Sequence, residues 1–222
     1  MCGRFSLFQN GDDIVLRFCI ANDIENYSKR YNIAPSQNVL VVINDGRNNR
    51  AGYLKWGLVP FWAKDPSIGN RFINARAETL AERAAFKHAF KKQRCLIVAD
   101  GFYEWKKENN RKQPYRIQLK NNKLFAMAGL WDRWRGQDGK ELFSCTIITT
   151  AANSLISSVH NRMPVILHPQ VENIWLDKKN DDHLSFLQSL LMPYETEEWE
   201  IYPVSTKINS PKYDEPALIE RV

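Results

Sequence analysis

Short strand-like runs separated by polar links dominate the first two thirds of the chain. Val39-Leu40-Val41-Val42-Ile43 and Cys95-Leu96-Ile97-Val98-Ala99 are continuous apolar runs of strand length. Phe102-Tyr103-Glu104-Trp105 alternates, so Glu104 and its two neighbours point to opposite faces. Residues 115–119, 124–131 and 142–149 continue the pattern, and Lys120-Asn121-Asn122-Lys123 predicts a hairpin turn between the first two of these. Links this short imply antiparallel pairing, because a parallel pair needs a long crossover.

Helical spacing replaces alternation in three places. Residues 12–21 open on Asp12-Asp13, suited to a helix N-terminus, and set Ile14, Val15, Phe18 and Cys19 on one side. Residues 79–92 turn Leu80, Ala84, Phe86 or Ala85, Ala89 and Phe90 inward and Arg83, Lys87, Lys91 and Lys92 outward. Residues 169–191 predict one or two helices around Ile174, Trp175, Leu184, Leu187 and Leu191, and a short helical stretch covers 151–159. No repeat, low-complexity tract or Pro/Gly-rich linker interrupts the chain. The expected class is α+β: a single domain over residues 1–222, with a curved, mostly antiparallel sheet or open barrel and helices packed outside.

Composition narrows the function classes. With 222 residues and 44% hydrophobic content the chain can build a sizeable core. No run of eighteen apolar residues exists to span a membrane, and the N-terminus lacks the basic head and apolar stretch of a signal peptide. A cytoplasmic monomer is expected, nucleoid-associated if the source is bacterial. Net charge is +6, but residues 50–140 hold 20 Lys and Arg against 8 Asp and Glu, while the remainder holds 11 against 17. A basic middle in a mildly acidic frame suits a polyanion. Four cysteines stand far apart without metal-binding spacing, so no metal is expected, and no motif asks for an organic cofactor. Cys19, Cys95 and Cys145 sit among apolar residues and read as core thiols.

Cys2 differs by position. Removal of Met1, expected before a small second residue, would give Cys2 a free α-amine beside its thiol. Both groups titrate near neutrality, at about 7.7–8.0 and about 8.5 in reference peptides. Such an aminothiol condenses with an aldehyde to an imine, which the thiol closes to a five-membered thiazolidine. It also suits amide chemistry, with the amine as base for its own side chain.

Other segments are dense in functional side chains: Arg30-Tyr31-Asn32-Ile33-Ala34-Pro35, Trp56-Gly57-Leu58-Val59-Pro60-Phe61-Trp62, Ile73-Asn74-Ala75-Arg76-Ala77-Glu78-Thr79, Asp100-Gly101-Phe102-Tyr103-Glu104-Trp105 and Val159-His160-Asn161-Arg162-Met163-Pro164. Together with Met-Cys-Gly-Arg-Phe at the start, these resemble the SOS response-associated peptidase family, in the family's order, from residue 2 to about residue 167. Members of that family shield abasic sites. The resemblance implies Cys2 as nucleophile toward the deoxyribose aldehyde, Asn74 as the residue orienting it, Glu104 as proton carrier and His160 as the acid that opens the sugar ring. It further implies Arg4 and Arg76 as phosphate contacts, Asn32 and Thr149 as neutral hydrogen-bond partners of the strand, and Trp62, read as lying in a loop, as a base-stacking platform. Arg162 suits either phosphate binding or bracing of His160. Single-stranded DNA carrying abasic sites is then the partner, with weak lyase activity beside crosslinking. Two other functions stay open: a cysteine peptidase or autopeptidase using Cys2, and a non-catalytic single-strand binder, which gives no reason for an N-terminal cysteine.

Overall fold

The computed structural model describes residues 2–108, 111–195 and 197–222. Its strands are β1 (Arg4–Leu7), β2 (Arg30–Ile33), β3 (Asn38–Asn44), β4 (Asn49–Trp56), β5 (Asn74–Arg76), β6 (Arg94–Ala99) and β7 (Gly101–Glu108). They continue as β8 (Arg111–Leu119), β9 (Phe125–Arg135), β10 (Glu141–Ala151), β11 (Arg162–Pro164), β12 (Ile166–Leu167) and β13 (Trp199–Pro203). The α-helices are α1 (Gly11–Arg17), α2 (Ala84–Lys92), α3 (Pro169–Leu176) and α4 (Leu184–Ser189). None is long and apolar enough to cross a membrane.

Five strands form one antiparallel sheet in the order β13-β8-β7-β1-β2. The other eight form a second sheet. Here β9 pairs with both β6 and β10, and β10 pairs with β4, so the path β10-β4-β3-β6-β9 closes on itself as a barrel. Closure removes the free edges that an open barrel would expose. The apolar runs explain why these strands are central: Val39, Leu40, Val41 and Val42 of β3 and Cys95 through Ala99 of β6 are all buried. Phe5, Phe102 and Ile117 of the first sheet join the same apolar cluster, so one core links both sheets.

Among the named strands, pairing is antiparallel except where β10 runs parallel to β4 and β5. The β4 register ends at Cys145 opposite Trp56, and β5 takes over with Ile147 opposite Asn74. Gly57 makes the handover possible. Its φ is +130°, and a Cβ there would lie 2.7 Å from the Gly69 carbonyl oxygen. The buried Trp56 locks the same corner by donating from Nε1 to the Ile73 carbonyl at 2.8 Å.

Several local expectations need correction. Lys120-Asn121-Asn122-Lys123 turns the chain, with Asn121 and Asn122 at positive φ, but it makes no hairpin. β8 pairs with β7 and β13 while β9 belongs to the barrel, so the turn hands the chain from one sheet to the other. The first helix stops at Arg17, and Cys19 is exposed at φ +50° rather than buried as a core thiol; Phe18 and Ile20 on either side take the buried positions. The helix expected from residue 79 begins at Ala84, after a 3-10 turn over Ala77–Thr79. Residues 169–191 resolve into α3 and α4. In the stretch 151–159, Ala151 ends β10 and only Ile156–Ser158 form a 3-10 turn.

Candidate active site

Cys2 leads into β1 and is fully buried. Its carbonyl accepts from Asn74 Nδ2 at 2.8 Å, and its Sγ lies 3.9 Å from the Arg4 carbonyl oxygen. Asn74 is delivered by the β5–β10 pairing. Its other amide atom, Oδ1, is buried without a partner among the described residues. A buried acceptor left in that state is costly, and a donor arriving beside Cys2 would relieve it. Met1, whose removal the chemistry requires, lies outside the described residues.

β7 carries Glu104 beneath the surface, opposite Tyr115 of β8. Burial holds its carboxyl above the ordinary range, and the neighbouring His160 acts in the opposite direction. The Cys2 thiol is pushed up in turn, first by burial and then by the Glu104 charge. Each group therefore feels the next, from Cys2 through Glu104 to His160.

His160 follows the 3-10 turn, anchored by its N–H to the Ile156 carbonyl at 3.0 Å. The Arg162 backbone N–H donates to His160 Nδ1 at 3.0 Å. The Arg162 carbonyl oxygen also lies 3.2 Å from Nδ1, so the Arg162 backbone brackets that ring nitrogen. Glu104 and His160 line a cleft of about 570 Å³ together with Trp105, Lys112 and Asn209. Thus the structure gathers Cys2, Asn74, Glu104 and His160 around one site.

The residues expected to hold DNA divide differently. Arg76 and Trp62 are exposed, and Trp62 lines a separate groove with Lys64 and Arg71. Arg162 meets His160 through its backbone N–H, while its guanidinium forks onto Glu78 at 2.6 and 3.1 Å and reaches the Thr149 carbonyl at 2.6 Å. Thr149 is fully buried, its hydroxyl engaged by Arg162 and the Ala75 carbonyl. Asn32 is fully buried too: Oδ1 accepts from Arg4 at 2.7 Å, and Nδ2 donates to the carbonyls of Ile208, Ser210 and Tyr213. Arg4 adds bonds to the Ile208 and Asn209 carbonyls at 2.5 and 3.0 Å. Asn32 and Thr149 thus have internal jobs that leave their side chains no open path to a strand, and Arg4 commits three of its five N–H groups to the protein.

Sequence reasoning missed Lys112 and Asn209 altogether and gave Glu78 and Trp105 no role. Glu78 and Trp105 stand inside quoted motifs, so their positions were visible although their partners were not. Lys112 and Asn209 carried no local signal.

The profile described as SOS response associated peptidase (SRAP) matches residues 1–211. Abasic site processing protein YoqW of Bacillus subtilis (strain 168) is 52% identical over 223 aligned residues, covering 99% of each chain. Abasic site processing protein YedK of Escherichia coli (strain K12) is 30% identical over 231 aligned residues, covering both chains completely. A crystal structure of a protein from Bacteroides thetaiotaomicron matches with a TM-score of 0.89 at 28% identity, over 100% of both chains. The family match and these full-length relatives place the chain in the SOS response associated peptidase family.

Proposed function

We propose that the protein captures abasic sites in single-stranded DNA by closing a thiazolidine between Cys2 and the deoxyribose aldehyde. The observation that carries this reading is the Asn74 amide. It grips the Cys2 carbonyl with Nδ2 and leaves Oδ1 buried and unpartnered among the described residues. An α-amine freed at Cys2 supplies the missing donor. The names of the relatives, abasic site processing proteins, support the substrate class.

The chemistry follows from the groups present. His160 protonates the ring oxygen of the closed sugar, exposing the C1 aldehyde. The Cys2 amine attacks C1, and loss of one water leaves a protonated imine. The thiol adds to the same carbon, its proton passing to the Glu104 carboxylate, and the C–S bond completes the ring. Because burial and the Glu104 charge both disfavour a free thiolate, sulfur addition is coupled to that proton transfer. If a base takes the C2 proton before sulfur adds, β-elimination nicks the strand, which gives weak lyase activity. The exposed Arg76 and Trp62 would hold the strand by charge and stacking.

A peptidase reading keeps Cys2 as nucleophile and rests on the family's name. It gives the basic middle of the chain no task. Incubation with an oligonucleotide bearing one abasic site, followed by denaturing electrophoresis and intact mass, tests the proposal. The expected adduct weighs the Met1-free chain plus the oligonucleotide less one water. An active protein that retains Met1, or no adduct at all, defeats it.

A further inference from the structure

β1 begins at Arg4, opposite Tyr103, so from Glu104 onward β7 keeps only β8 beside it among the described pairings. The cleft lies in this notch, and the C-terminal segment closes one side. That segment is pinned by the Arg4 and Asn32 bonds to residues 208–213 and by Asp214, which accepts from the Tyr31 and Asn32 N–H groups at 2.6 and 3.0 Å. So held, Asn209 meets Trp105, whose Nε1 donates to Asn209 Oδ1 at 2.7 Å. An indole N–H can only donate, so the amide oxygen faces Trp105 and the NH2 group is turned the other way. Among the described residues that NH2 group has no partner. Lys112, exposed on the same cleft, has no ion-pair partner among the described residues. It lies two residues before Pro114, which stands opposite Trp105, so Lys112 and Trp105 share one face of the β7–β8 pair.

We propose that Asn209 Nδ2 and Lys112 Nζ form an anion subsite that holds a phosphodiester flanking the abasic sugar. The inference rests on the abasic-site reading above and adds how the strand is positioned. An ammonium and an amide NH2 offer only donors, which suits the acceptor-only oxygens of a phosphodiester rather than a sugar hydroxyl. The substrate carries such a group on each side of the reacting sugar. The subsite makes the strand, not the aldehyde alone, the preferred substrate, because a small free aldehyde gains nothing from it.

The test measures initial crosslinking rate against concentration of an oligonucleotide with one abasic site, natural or with a neutral methylphosphonate at either flanking linkage. Asn209→Asp keeps the acceptor for Trp105 and replaces the donor with a carboxylate oxygen. It should raise the half-saturating concentration about tenfold or more, the loss of one charge-assisted hydrogen bond, with the maximal rate changed less than about twofold. Lys112→Ala should act in the same direction and Lys112→Arg should restore most of the loss. One of the two methylphosphonates should lower the parent to the level of the variants and cost the variants nothing more. Should Asn209→Asp fold poorly, Lys112→Ala and Lys112→Arg carry the same comparison at an exposed position. The subsite is overturned if a crosslinking parent is matched by both Asn209→Asp and Lys112→Ala, or if their losses persist equally on both neutral linkages. A parent that forms no crosslink on the natural oligonucleotide overturns the functional reading itself, a result visible without any variant.

Discussion

At Glu104, chemistry and stability pull in opposite directions. Its folded-state carboxyl is raised by burial, so the folded chain keeps the proton as pH climbs past the ordinary carboxylate range while the unfolded chain releases it. Any stability from this group is complete below the unfolded pKa and is lost as pH rises through the folded one. Glu104→Gln keeps the shape and removes the charge. It should therefore melt no lower than the parent at neutral pH, with a shallower fall between acid and neutral pH, while crosslinking about a hundredfold more slowly. Calorimetry across that range, with a crosslinking time course, checks both halves; a variant that melts lower and crosslinks at the parent's rate contradicts both. Residue identity made Cys2, Asn74, Glu104 and His160 legible in the sequence, because position 2 and the short motifs mark them. Burial is not a local property, which is why Asn32 and Thr149 resembled strand contacts until the C-terminal segment and Arg162 were seen to engage their side chains.

At the scale of elements, the strand runs were readable because continuous apolar stretches of strand length have few alternatives. Their partners were not. β4 reads Asn-Arg-Ala-Gly-Tyr-Leu-Lys-Trp, with mostly partly exposed positions, so no apolar signal announced the strand that completes the barrel wall. The turn at residues 120–123 was correct as a turn and wrong as a hairpin, since Asn at positive φ reports local bending and says nothing of which sheet follows. The corner at Trp56-Gly57 looked functional in sequence and proves to be packing, with only Phe61 and Trp62 beyond it exposed. Gly57→Ala should accordingly cost about 2 kcal/mol or more, since it adds a strained φ and a backbone clash. Urea unfolding followed by intrinsic tryptophan fluorescence measures this; an unchanged midpoint would show that the corner relaxes freely.

For the whole molecule, the site depends on chain segments far apart in sequence. β1 brings Cys2, β5 brings Asn74, β7 brings Glu104, the turn after β10 brings His160, and the C-terminal segment closes the cleft. Charge asymmetry was legible from composition, but which cations remain available is a property of the fold: Arg162 is held by Glu78, whereas Arg76 is exposed. Arg76→Ala should weaken binding to undamaged single strands and lower the slope of log affinity against log salt by about 0.7, while Cys2→Ala leaves both nearly unchanged. Fluorescence anisotropy over a salt series separates the two; equal losses would mean that binding and reacting residues have been confused. The most direct test of the central claim is denaturing electrophoresis of parent, Cys2→Ser and Cys2→Ala after incubation with an abasic oligonucleotide, with and without borohydride. The parent should give a crosslink that survives denaturation unaided. Both variants, which keep an N-terminal amine but no thiol, should give one only after borohydride reduces the imine, and should nick more of the strand. A denaturation-stable crosslink from Cys2→Ala at the parent's rate, without borohydride, would contradict the account, because no sulfur would then be needed at position 2.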